Sequence, residues 1–164
     1  MNILILTSRF SYPIHSGDTL RVHNIAMELS RSHNVTLVSI DGDGVELNGD
    51  DLPYECFSFN MAKTERLKGV ASSIIRLQPI QYGYFDSLEF RNWYKLNKAR
   101  FQGVVVHLSR LSNLVNPQDF SISVLEYTDC LAMMYSRAIK RLGFSIKQLL
   151  YRYESLVILK SDIK

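Results

Sequence analysis

In the segment Ser8–Asn24, SRFSYPIHSGDTLRVHN, Arg9 and Arg21 supply guanidinium groups, His15 supplies an imidazole, Ser16 and Gly17 form a serine–glycine pair, and Asp18 supplies a carboxylate. An apolar run ends just before it at Thr7, and an amphipathic pattern starts near Gly17. A helix beginning at Ser16–Gly17 offers backbone N–H groups and a partial positive charge to an anion. Gly17 would let a phosphate approach the backbone closely. Ser16 is equally a good N-cap, and Asp18 complements the helix dipole. The two readings are compatible, because a capped helix start can still face a ligand. Arg9 suits a phosphate or carboxylate, and His15 suits a polar contact or a general base. Each also fits a solvated loop position.

A second set lies further along. His107 closes the apolar run VVVHL, Ser109 and Arg110 follow it, and Asp129 follows the run SVLEY. Alternation along a strand puts Ser109 on the His107 side. A histidine at the carboxyl end of a central strand is an active-site candidate, with a structural histidine as the competing reading. The chain has no GxGxxG, no Walker lysine, no glycine elbow and no His/Asp/Glu spacing suited to a metal. Neither a cofactor nor a metal is expected.

These residues need elements to hold them. NILILT (Asn2–Thr7) and NVTLVSI (Asn34–Ile40) read as strands covered on both faces. Between them Val22, Ile25, Ala26 and Leu29 form the stripe of a helix packed on a sheet. That is a βαβ unit with a right-handed crossover and a parallel strand pair. YECFSF, FQGVVVHL and SISVLEY read as further strands. TERLKGVASSIIRL reads as a helix with Leu67, Val70, Ala71, Ile74 and Ile75 on one face, broken by QPIQYGYF. Asp86–Arg100, TDCLAMMYSRAIKRL and SIKQLLYRYESLVILK read as helices, the second stopped by Gly143. The expectation is one Rossmann-like α/β domain over residues 1–164, doubly wound around a mostly parallel sheet. Ligands of such sheets bind at the carboxyl ends of the strands. Arg9, His15, Arg110 and Asp129 should therefore converge on one rim with His107.

Composition agrees with a globular domain: 164 residues, 46% hydrophobic and 21% charged. A net charge of +3 is too mild to imply nucleic acid. Two cysteines without a CxxC fit a reducing compartment, and no signal peptide or bilayer-length apolar run is visible, so a cytoplasmic location is expected. The bases cluster in the Lys63–Leu77 and Asp86–Arg100 helices. The second is dense in aromatics, and Arg91, Trp93, Lys95 and Lys98 make it a candidate membrane- or acceptor-facing surface. An ordinary helix packed on the sheet is the alternative.

Three segments together, ILILTSRFSYPIHSGDTLRVHNIAMELSRSHNVTLVS, VVVHLSRL and SVLEYTDCLAMMYSRA, resemble the amino-terminal domain of family-4-type (group 1) GT-B glycosyltransferases. The subgroup is that of bacterial exopolysaccharide and capsule sugar transferases, and the resemblance covers nearly the whole chain. It implies the amino-terminal half of a GT-B fold, which holds a lipid-linked or polysaccharide acceptor. Its first glycine loop approaches the diphosphate of a nucleoside-diphosphate sugar. By resemblance Ser16 and Gly17 face that diphosphate, while Arg9, His15, Arg21, His107, Ser109, Arg110 and Asp129 lie toward the acceptor. Ser109 stands where many relatives carry the second histidine of a His-x-His pattern, which leaves the catalytic base unassigned. The donor-binding domain with its E-x7-E motif is not in this sequence, so the chain alone is expected to transfer no sugar. Two rivals keep the fold and change the function. One is a non-catalytic module pairing with a separate donor-domain subunit. The other is a nucleotide-dependent sugar epimerase or dehydrogenase, against which the missing GxGxxG counts.

Overall fold

The computed structural model describes residues 1–9, 14, 16–40, 52–127, 131–141 and 145–161. Five strands form one all-parallel sheet: β1 (Asn2–Thr7), β2 (Asn34–Ser39), β3 (Glu55–Ser58), β4 (Gly103–His107) and β5 (Ile122–Glu126). Their order is β3-β2-β1-β4-β5. The chain winds outward from β1 to β3 and then returns to place β4 on the other side of β1. The winding reverses between β1 and β4, where open α/β sheets leave a crevice at the carboxyl ends. This is the doubly wound α/β class expected from the alternating pattern.

Helix α1 (Gly17–Ser30) links β1 to β2, and its stripe behaves as expected. Val22 and Ala26 are buried, and Ile25 and Leu29 half-buried, over Ile3, Ile5, Val35 and Leu37. On the other face Leu4, Leu6, Val38, Val104 and Val106 meet Phe90, Tyr94 and Phe101. Phe90 and Tyr94 come from α4 (Leu88–Asn97), whose N-cap Ser87 accepts from the Phe90 N–H. Full burial of one such side chain contributes about 1.5–3 kcal/mol, so both layers matter to stability.

Helix α2 (Lys63–Ile75) departs from expectation. Most of its apolar stripe faces outward: Leu67, Ala71, Ile74 and Ile75 are exposed, Val70 is half-buried, and the one buried residue is Ser73. The inner face is set by glycine. A Cβ on Gly69 would overlap the carbonyl of Gly83, and one on Gly83 would overlap that of Gly69. Gly83 belongs to α3 (Ile80–Tyr84), a short helix formed by the QPIQYGYF segment, which sequence reads only as a break. Close approach of two backbones, rather than burial of large side chains, joins α2 to α3.

Helices α5 (Leu131–Arg141) and α6 (Ile146–Ser161) pack on each other and reach this pair. Buried Glu154 accepts from the Ile80 N–H at the start of α3 (2.8 Å). Tyr153 donates to the carbonyl of Gln78 (2.9 Å). Gly143, the expected stop of α5, lies outside the described residues. Edge strand β5 is exposed on both faces at Ile122, Val124 and Leu125, despite its apolar centre. No described helix is long and apolar enough to cross a membrane.

Candidate functional site at the carboxyl rim

Strand alternation and the parallel register build the site. Ile3 and Ile5 of β1, Val35 and Leu37 of β2, Cys56 of β3 and Val105 of β4 all point toward α1. Two residues further along each strand, the same face carries Thr7, Ser39, Ser58 and His107. Glu126 of β5 pairs with His107, and Ser39 pairs with Thr7 and Ser58. An apolar sheet face thus ends in a polar row across all five strands.

The row is bonded at both ends. The Ser39 hydroxyl donates to that of Ser58 (3.1 Å). His107 Nδ1 lies 2.7 Å from Glu126 Oε2, and the other Glu126 oxygen accepts from Arg21 Nε of α1. Exposure rises along this chain, from 1% for His107 to 12% for the Glu126 side chain and 54% for that of Arg21. A carboxylate beside Nδ1 selects the tautomer protonated there and leaves Nε2 as an acceptor. Nε2 is buried with no hydrogen-bond partner among the described residues. Leu108 follows with φ 76°, a left-handed conformation that costs a non-glycine residue on the order of 1 kcal/mol. Its N–H donates to the Glu126 carbonyl (3.1 Å).

Above the row stands the start of α1. The Ser16 N–H donates to Thr19 Oγ1 (3.1 Å), and the Ser16 hydroxyl bonds the Asp18 carboxylate, which holds that carboxyl below its usual range. A Cβ on Gly17 would meet no atom of the described residues within 4 Å. No described neighbour demands a glycine there. Gly17, Arg21, Asn24 and Glu28 border an open groove of about 580 Å³ along α1. A wider cleft of about 630 Å³, lined by Asn2, His33, Asn34, Glu55 and Arg100, lies at the amino ends of the strands. It lacks the switch-point position and the helix start, so the carboxyl rim is the better candidate.

The structure therefore joins Arg21 and His107 through Glu126, with Ser16 and Gly17 on the same helix as Arg21. Arg9 is exposed near the carboxyl end of β1, and its charge acts on Asp18. His15 and Asp129 lie outside the described residues. Arg110 goes elsewhere: its guanidinium sits 5.7 Å from the Phe85 ring, and Phe85 belongs to the core on the opposite face. Ser109 starts a 3-10 turn (Ser109–Leu114) immediately after Leu108. Strand alternation from His107 therefore cannot place it.

The aromatic density of α4 has a packing explanation. Trp93 is half-buried against Phe57, Phe59, Phe90 and Phe101. Arg91 pairs with Asp86, and Lys98 with Asp119 (2.9 Å). Lys95 alone of that candidate surface is exposed, and it forms no ion pair among the described residues. Burial pushes the Cys56 thiol up to about 11, which makes it a poor nucleophile.

Sequence reasoning missed Glu126, Thr7, Ser39 and Ser58. Each is polar at the end of an apolar strand, which is a readable signal, but only the register aligns them. Fold and site together define a Rossmann-like α/β domain with a polar rim at the carboxyl ends of its strands, where the winding reverses between β1 and β4. Comparison with models of protein families, with curated proteins and with solved structures returns no match.

Proposed function

We propose that this chain is the acceptor-side domain of a GT-B glycosyltransferase. The parent reaction moves a sugar from a nucleoside-diphosphate sugar to a lipid-linked or polysaccharide acceptor. What supports this reading is the chain His107–Glu126–Arg21 at the switch point, beside the helix start at Gly17. Buried His107 orients the carboxylate, and the carboxylate holds a half-exposed guanidinium at the rim. Guanidinium and helix start together suit the anionic and hydroxyl-rich groups of a sugar diphosphate. The described residues build one Rossmann-like sheet, and transfer in this reading needs a second domain to orient the donor.

Titration of the isotope-labelled chain with nucleoside-diphosphate sugars, and separately with a prenyl-diphosphate-linked sugar, tests this by amide NMR. Shifts are expected at Gly17, Arg21, His107 and Glu126, and Arg21→Ala should weaken the response by about tenfold or more. Shifts confined to Asn34, Glu55 and Arg100 would move the site to the amino-end cleft and overturn the reading. Sugar transfer by the 164-residue chain alone would overturn its two-domain part.

A non-catalytic module that pairs with a donor-domain subunit is the second reading. The exposed apolar faces of β5 favour it. It expects capture of a donor domain without any of these ligand shifts.

A further inference from the structure

We propose that the outward arc of α2 seats the protein on an anionic lipid surface. The inference stands on this helix alone and does not depend on sugar transfer.

Exposure divides α2 cleanly. Lys63, Thr64, Leu67, Lys68, Ala71, Ile74 and Ile75 are exposed, while Glu65, Arg66, Gly69, Val70, Ser72 and Ser73 are not. At about 3.6 residues per turn the exposed set is one continuous arc. Leu67, Ala71 and Thr64 lie toward its middle, with Ile75 beside Lys68 at one margin and Ile74 beside Lys63 at the other. Leu67 is 70% exposed and Ile75 81%. Arg76 and Leu77 extend the pattern past the helix, Leu77 being 73% exposed.

Large side chains this exposed are not half-packed core, because the core-side face of α2 is the Gly69–Ser73 seam against α3. The charge pattern selects the occupant. The only acid of the helix, Glu65, lies off the arc and accepts from the Leu88 N–H (2.9 Å). The arc therefore carries cations and no anion. Aliphatic groups flanked by lysines match the boundary between acyl chains and anionic headgroups, where lysine stems lie along the apolar phase and ammonium groups reach the phosphates. A convex single-helix arc suits a deformable lipid surface better than a rigid protein face, which would need a complementary groove. The aromatic helix α4, the other candidate, instead turns Trp93 into the core.

Co-sedimentation with vesicles of phosphatidylglycerol and phosphatidylcholine in equal parts, against phosphatidylcholine alone, tests this. The full chain should bind the mixed vesicles and bind the neutral ones at least about tenfold less. Leu67→Ser/Ile75→Ser should lower binding by on the order of a hundredfold. Lys63→Glu/Lys68→Glu should lower it about tenfold or more, with the loss growing smaller at high salt. Circular dichroism should match the parent for both variants. Should either fail to fold, Ile75→Trp supplies a second reading: its emission, taken over that of Trp93, should shift to the blue with mixed vesicles. No binding, equal binding to both vesicles, or binding indifferent to the Leu67/Ile75 change would overturn the proposal. So would a dimer in sedimentation velocity that the same change converts to monomer, because a second copy would then be the occupant.

Discussion

Helices α1 and α2 carry the same signal and meet opposite fates. Each has aliphatic residues at the spacing of one helical face. In α1 that face lies on the sheet, with Val22 and Ala26 buried. In α2 the face looks outward, and the inner contact runs through Gly69 and Ser73. The periodicity of a stripe says that a face exists. It does not say what covers it, because a lipid surface, a partner and a sheet all reward the same pattern.

The hardest way to break the contrast is at the α2–α3 seam. Gly69→Ala places a methyl against the Gly83 backbone, which has no rotamer by which to yield. The expected loss is about 3 kcal/mol, the upper part of the range for overpacking. Urea unfolding measures it, and a loss under about 1 kcal/mol would show that the two helices separate easily.

Truncating one aliphatic residue on each helix sharpens the contrast directly. Val22→Ala should cost about 2 kcal/mol, combining lost burial with a partly retained cavity. Ile75→Ala should stay within about 0.5 kcal/mol of the parent, as substitutions at exposed positions do. Equal losses at the two sites would remove the distinction.

Glu154 gives a smaller, pH-dependent effect on the same seam, because it braces α3. Burial raises its carboxyl above the ordinary glutamate range, against the two backbone N–H bonds of Ile80 and Gln81 that lower it. The folded protein then takes up this proton more readily than the unfolded one. The stability contribution is fullest below the ordinary glutamate range and falls as pH rises through the raised folded value. Glu154→Gln keeps an oxygen for the Ile80 N–H and removes the titration. Its melting temperature should gain on the parent as pH rises from acidic to neutral. A constant difference would mean that the carboxyl is not held out of water.

Gly17→Ala should have the smallest effect on folding. No atom of the described residues lies within 4 Å of that Cβ, so stability should hold or rise slightly, by less than about 1 kcal/mol. Loss of sugar-nucleotide shifts in a variant that melts normally would tie the glycine to a ligand rather than to packing.

Local pattern carried much of the fold. Continuous apolar runs predicted β1, β2 and β4, because a strand covered on both faces has no room for polar side chains. The α1 stripe and the long first loop placed a helix start at the rim. The chemistry at that rim was only half legible. Arg21 and His107 stand out by type and position, yet Glu126, which touches both, looks like any strand-end carboxylate until the β4–β5 register brings it alongside His107. Arg110 reads as a rim cation until Leu108 breaks the strand and Phe85 takes the guanidinium.

The sequence by itself determined the five strands and the longer helices, that the domain is α/β, and that polar groups cluster where strands end. These follow from side-chain period and backbone preference, which act over a few residues. Tertiary structure alone decided which polar ends share a row, that Trp93 turns inward, and that the aliphatic face of α2 turns out. Those outcomes depend on register and on how closely two backbones approach. Pairings between residues such as Gly69 and Gly83, or Arg21 and Glu126, leave no period in the chain.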